Sequence, residues 1–183
     1  FGIDELIIFA FYLANKRNYK KVADIGANIG LHSVVLRKLG YEVSSFEPDP
    51  LHCAQFEANM CTNAIDSGYE LNKVAVSDVN GTVGFTRVNE NSTGSHITGA
   101  KGAYGDLDQF NVNCVQFGKI LRENDLIKAD VEGHEAVLLT STVADDWKSS
   151  DAMFEIGSEE NAKHIYDHMN VIGVSIFSQK NGW

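Results

Sequence analysis

An α/β fold built on a doubly wound, mostly parallel sheet is the architecture this sequence predicts, and three observations predict it. Short β-type runs alternate with helical patterns through the first half of the chain. A glycine-bearing turn, Gly26 to Gly30, falls where the first β-type run meets the first helical pattern. The same alternation resumes from Leu126 onward.

Element by element, Asp4 before Glu5-Leu6-Ile7-Ile8 reads as the N-cap of a leading helix within residues 1–20. Val22-Ala23-Asp24-Ile25 is a buried-strand pattern ended by Gly26. Leu31, Val34, Val35 and Leu39 then recur at helical spacing, with Gly40 as the stop. Glu42 to Phe46 is a second strand. Pro50 suits the first turn of the next helix, on which Leu51, Ala54, Ala58 and Cys61 share a face. Tyr69 to Val76 is a third strand. Strands separated by helices must pair in parallel through right-handed crossovers.

An insertion over residues 81–117 precedes the fourth parallel strand. It holds two strands, Gly81 to Val88 and Phe110 to Phe117, around a stretch from Asn89 to Gly105 rich in Gly, Ser, Asn and Thr. A loop of that length is a candidate substrate lid, with plain disorder as the alternative. Leu126 to Val131 is the fourth strand, followed by a helix from about Glu132 to Thr140. Ala152 to Ile156, a helix over Glu159 to Met169, and a last strand over Val171 to Ser178 complete the pattern.

The composition bounds the function. The chain has 183 residues, 44% of them hydrophobic, and a formal net charge of −10. It reads as one domain, 1–183, large enough for a single core, and neither disordered nor collagen-like. An acidic balance argues against broad binding to phosphate backbones, so no nucleic-acid partner is expected. Cys53, Cys61 and Cys114 form no CxxC and cannot all pair, which points to a reduced, cytoplasmic protein. The longest apolar run, Leu6 to Leu13, is about half of the ~20 residues a membrane span needs, so no membrane association is expected. No small-residue cleavage pattern follows it. A first residue of Phe rather than Met points to a fragment or trimmed chain.

Two constellations carry chemistry. Asp24-Ile25-Gly26-Ala27-Asn28-Ile29-Gly30 is placed where such sheets bind ligands, and Asn28 tolerates the left-handed angles that its position requires. Glu47 follows at the end of the second strand, where a carboxylate can accept hydrogen bonds from both ribose hydroxyls of an adenosine. Taken singly, these are a tight turn and a solvated loop acid; together they point to a nucleoside. The glycine pattern departs from the dinucleotide G-x-G-x-x-G. Asp24 would repel a pyrophosphate and suits the ammonium and sulfonium of S-adenosylmethionine (SAM), so the electrostatics favour SAM over NAD.

The second constellation is Asp130-Val131-Glu132-Gly133-His134-Glu135, at the end of the fourth strand. Asp130 and Glu132 could bind the ligand's ammonium, hold a cationic or hydroxylated substrate, act as a base, or simply cap the helix. Glu155 is a third acidic candidate, and His134 has base chemistry but lies in the helix start. Asp130 and Glu132 could contribute to a Mg²⁺ site but supply too few ligands, so no metal is assigned. His164 and His168 have zinc-compatible spacing without a third ligand. Asn91-Ser92-Thr93 matches a glycosylation sequon.

These segments, with Phe46-Glu47-Pro48-Asp49-Pro50 and Asn72-Lys73-Val74-Ala75-Val76-Ser77-Asp78, resemble the FkbM-type methyltransferase family, in order from about Val22 to Leu139 and more loosely through Phe154-Glu155-Ile156. The resemblance implies the class I SAM-dependent methyltransferase fold, a Rossmann-like seven-stranded sheet with one antiparallel strand near the edge. It implies that Asp24, Gly26, Ala27, Asn28 and Gly30 line the methionine part of SAM. It further implies that Glu47 holds the ribose, Ala75 and Val76 lie near adenine, and Asp130 closes the pocket. The expected reaction is O-methylation of a hydroxyl on a sugar or small metabolite, with Asp130 or Glu132 as catalytic base. The competing readings are an NAD(P)-dependent oxidoreductase of similar fold, a nucleic-acid methyltransferase, and a nucleoside-binding module without turnover.

Overall fold

Residues 21–25 form a strand whose last four residues are all buried, as an apolar run without alternation demands. The computed structural model describes residues 2–89, 94–102 and 105–178. In chain order the elements are α1 (Ile3–Asn15), β1 (Lys21–Ile25), α2 (Leu31–Leu39), β2 (Glu42–Phe46), α3 (Pro50–Thr62), β3 (Tyr69–Asn72), β4 (Ala75–Ser77) and β5 (Gly81–Val88). There follow β6 (His96–Ile97), β7 (Leu107–Gln116), α4 (Phe117–Glu123), β8 (Leu126–Ala129), α5 (Glu135–Thr140), a 3-10 turn (Ala144–Trp147), β9 (Asp151–Phe154) and α6 (Glu159–Ile172).

The strands form two sheets. A five-stranded sheet has the order β3-β2-β1-β8-β9 and is parallel throughout. Its two faces carry separate cores, which is what doubly wound means in side chains. Ala23, Ile25 and Ile127 pack with Phe117, Leu121 and Leu138 on one face. Val22, Val43 and Leu126 pack with Tyr12, Leu36 and Tyr41 on the other. No helix among the described residues is long and apolar enough to cross a membrane.

The single seven-stranded sheet is corrected. β4, β7, β5 and β6 make a second, four-stranded sheet, in which β5 is antiparallel to β7 and to β6. The expected third strand, Tyr69 to Val76, is broken at Lys73 and Val74. Asn72 pairs with Phe46, the last residue of β2, and beyond Glu47 the chain reaches Pro48, which has no N–H to offer. Ala75 to Ser77 therefore leave the first sheet and pair with Cys114 to Gln116 of β7.

Other expectations need adjustment. The helix N-cap is Gly2, whose N–H donates to the Glu5 carboxylate at 3.2 Å, so Asp4 lies in the first turn instead. On α3 the face of Leu51, Ala54, Ala58 and Cys61 is the exposed one, and His52, Cys53, Phe56 and Met60 are buried. The fifth helix starts at Glu135 rather than Glu132, because Glu132 and Gly133 hold φ of 52° and 100°. No strand forms over 171–178: α6 runs to Ile172, Gly173 caps it, and Val174 packs back on the core.

One ion pair joins the two sheets. Asp49, fully buried at the N-cap of α3, accepts two hydrogen bonds of 2.6 Å from Arg87 Nε and Nη2 on β5. Arg87 also lies over the Phe110 ring, 4.9 Å from its centre. Removing the guanidinium leaves a buried carboxylate without its cation, and such losses cost about 3–5 kcal/mol. Arg87→Met should lower stability to urea by that amount, and Arg87→Lys should recover only part, since an ammonium cannot make the paired contact. A loss well under ~1 kcal/mol in Arg87→Met, the scale of an exposed pair, would show that the clamp is immaterial.

Candidate functional site

The strand order reverses between β1 and β8, and there the glycine loop leaves β1. Gly26 and Ala27 both donate to the Phe46 carbonyl, at 3.0 and 3.1 Å, and Asp130 N donates to the Ile25 carbonyl at 3.1 Å. Gly26 has φ of 70°, and a Cβ there would sit 1.9 Å from the Asp130 carbonyl oxygen, so no side chain fits. Gly30, at φ 87°, caps α2; a Cβ on it would lie 2.6 Å from the Phe56 ring. The packing of α2 on α3 thus requires glycine there.

Glu47 is the hinge of the site. Only 4% exposed, its carboxylate accepts from Asn28 N and from Asp49 N, both at 2.9 Å, with His52 Nδ1 3.4 Å away. Burial opposes the charged form of His52, but the hydrogen bond and charge of Glu47 outweigh it and raise the imidazole pKa. Burial likewise opposes ionisation of Asp49, and the hydrogen bonds from Arg87 and Leu51 N outweigh it, holding the carboxyl below its usual range.

Over these strand ends lies a cavity of about 260 Å³. Its wall includes Gly26, Ala27, Asn28, Glu47, Ala75, Val76, Asp130 and Glu132, so most of the predicted site residues are brought together. Gly30 and Asp24 are not in that wall. Asp24 is fully buried on the α2 face of β1, where Ser33 Oγ donates to its Oδ2 at 2.6 Å and Lys128 Nζ stands 3.5 Å from its Oδ1. Because Ser33 spends its proton on Asp24, Ser45 Oγ, 2.8 Å from Ser33 Oγ, is the donor in that second contact.

Of the other candidates, Glu155 is exposed and outside the wall; burial of its carboxyl, then the charges of Asp130 and Glu132, raise its pKa. His134 turns to Ser77, Nε2 to Oγ 3.0 Å, and burial lowers its pKa. His168 Nε2 donates to the Thr142 carbonyl at 2.9 Å, so it is committed away from His164. Among the described residues no three His, Cys, Asp or Glu side chains gather as metal ligands. The sequon Asn91-Ser92-Thr93 lies outside the described residues.

The wall also holds side chains the sequence did not single out: Glu5 of α1, His32 of α2, Lys128 of β8, and Ser95, His96 and Ile97 from the lid candidate. His96 is 2% exposed, and its Nδ1–H donates to the Gly94 carbonyl at 2.8 Å, which leaves Nε2 as the acceptor nitrogen. Lys101 is paired with Glu132, so the described part of the stretch, 94–102, is fastened to the acidic loop. Burial, then the charge of Lys128, holds the His32 imidazole below its ordinary pKa, and Tyr12 OH is 3.0 Å from its Nδ1. Periodicity could have flagged only Lys128, a charge inside an apolar strand.

A parallel sheet with helices on both faces, a glycine turn and a cavity at the order reversal define the class I methyltransferase-like architecture. The chain belongs to the FkbM methyltransferase family: the model for the methyltransferase FkbM domain matches residues 24–171. Among solved structures, a methyltransferase FkbM from Methylobacillus flagellatus KT is similar at 15% identity and a TM-score of 0.58, over 84% of this chain and 37% of that one. A precorrin-6y C5,15-methyltransferase from Geobacter metallireducens GS-15 is similar at 12% identity and 0.53, over 91% of this chain and 71% of that one. A SAM-dependent methyltransferase from Agrobacterium tumefaciens is similar at 8% and 0.54, over 92% and 51%. No curated protein sequence matches the chain.

The His52–Glu47 contact has a pH signature. A pKa raised in the fold above the ordinary 6.5 means that protonation stabilises the fold. That contribution is complete below the ordinary value and is lost as pH rises through the folded-state value. The melting temperature of the protein minus that of His52→Gln should therefore be largest below about pH 6.5 and shrink as pH rises above it. A constant difference would show that folding does not shift the protonation of His52.

Proposed function

We propose that the protein is a SAM-dependent methyltransferase that methylates a hydroxyl on a sugar or small metabolite, with residues 1–183 acting as one catalytic domain in the cytoplasm. The observation that carries this reading is the single wall shared by the glycine loop, Glu47 and the Asp130–Glu132 loop. The donor set fits an adenosyl amino acid: a buried carboxylate for the ribose hydroxyls, apolar Ala75 and Val76 for the adenine, and acids for an ammonium.

When bound, SAM supplies an electrophilic methyl group on a sulfonium. The chain's part is to position the acceptor oxygen in line with it and to take the hydroxyl proton as the bond forms. Glu132 is tied to Lys101, whereas Asp130 has no ion-pair partner among the described residues. Asp130 is thus the better-placed proton acceptor, and Glu132 the residue that holds the 94–102 segment against the pocket. Apolar Val74, Phe85, Ile97 and Val131 limit water around the reacting groups.

Calorimetric titration tests the reading. S-adenosylhomocysteine should bind and NAD should not, and Glu47→Gln should weaken S-adenosylhomocysteine by about tenfold, the scale of one charge-assisted hydrogen bond. Binding of NAD alone would overturn the proposal in favour of an oxidoreductase. Binding of neither would leave a module without turnover.

A further inference from the structure

Lys128 is the residue of this site whose chemistry is least spent. In the parallel ladder Asp24 stands opposite Ser45 on one side and opposite Lys128 on the other. The pleat sends this polar row to the face of α1 and α2, the face on which Val22 and Leu126 pack, each two residues earlier in its strand. Asp24 Oδ1 accepts no hydrogen bond, and Lys128 Nζ, at 3.5 Å, is too far to give a strong one. The Lys128 ammonium makes no hydrogen bond among the described residues, although it has three donors and the residue is only 8% exposed. Lysines buried to that degree are ordinarily paired and bonded.

Lys128 belongs to the cavity wall, as do Glu5, His32 and Asp130. His32, lowered in pKa by burial and by Lys128, enters as a neutral imidazole. This end of the cavity therefore offers one cation with unspent donors beside two carboxylates. An ammonium suits the acids and a carboxylate suits the lysine's unspent donors, and a zwitterion offers both.

We propose that Lys128 recognises the α-carboxylate of the ligand's amino-acid tail, while Glu5 receives its α-ammonium and Asp130 stays free for the acceptor hydroxyl. The proposal rests on the SAM reading and adds to it a tail-reading end of the pocket, assigned to the fourth strand and the leading helix rather than to Asp24. Its consequence is selectivity: adenosyl compounds without the amino-acid tail should bind poorly.

S-adenosylhomocysteine and 5′-methylthioadenosine separate the two ends, because they share the adenosine and thioether and only the former has the tail. The protein should bind S-adenosylhomocysteine the more tightly. Lys128→Gln should weaken that ligand about 10- to 100-fold, as loss of a charge-assisted contact implies, and change 5′-methylthioadenosine by no more than about twofold. Because Lys128→Gln leaves Asp24 buried without its cation, the double variant Asp24→Asn/Lys128→Gln, which removes both charges, is measured beside it and should show the same selective loss. Equal losses for both ligands in a folded variant overturn the assignment, as does unchanged S-adenosylhomocysteine affinity. An unaltered protein that binds both ligands equally also overturns it while leaving the SAM reading intact. Failure to bind either ligand overturns the SAM reading itself.

Discussion

The carboxylate of Glu47 is the point on which the site turns. It accepts the N–H of Asn28, which sits at the left-handed φ of 49°, and the N–H of Asp49 in the following loop. The first bond compensates a conformation that a non-glycine residue adopts at some cost. The second fixes the residue that caps α3 and grips Arg87 of the inserted sheet. A continuous set of polar contacts thus runs from the glycine loop through Glu47 and Asp49 to β5. Neither sheet alone forms the cavity, and Glu47 touches the residue that ties one to the other.

Buried charge is handled by pairing across elements. The chain carries a net charge of −10, yet its buried acids are not left to repel one another. Asp49 lies against Arg87 and Asp24 against Lys128, so each of these two fully buried aspartates has a cation from another element. The two pairs differ in quality. Arg87 meets Asp49 with two short, parallel bonds, the geometry of a structural clamp. Lys128 meets Asp24 at a distance that keeps the charges balanced and leaves the donors unspent. On the reading proposed above, that surplus of donors is what leaves Lys128, unlike Arg87, available to a ligand.

How much of this was legible follows from the range of each interaction. The first sheet's strands at β1 and β2, the glycine turn and the acids at the strand ends follow from local pattern, because burial on both faces and left-handed turns leave marks within a few residues. The break at Lys73 does not: it depends on where β2 runs out of donors, and β2 lies more than twenty residues earlier. The face of α3 was misread because Leu51, Ala54 and Ala58 are apolar but exposed, while His52 is polar and buried by its contact with Glu47. Asp24 was legible as important, but its buried partners were not. Its carboxylate serves Ser33 and Lys128, since the pleat points it under α2 and not into the cavity. His32 and His96 left no signal, for a lone histidine gains its meaning only from what folds against it.

The wall of the cavity has two origins, and the division has a consequence. The glycine loop, Glu47, Lys128 and Asp130 come from the ends of the parallel strands, held by ladders on both sides. Phe85, His96 and Ile97 come from the inserted sheet, held through the Asp49–Arg87 pair and the Lys101–Glu132 pair. On the reading proposed above, the first group faces a ligand common to many methyltransferases and the second faces what varies between them. Substitutions in the inserted sheet can then change what is accepted without disturbing the ladder that binds the methyl donor, provided Arg87 and Lys101 keep the two walls in register. The ion pairs between the sheets are therefore the fixed hinges around which selectivity can change.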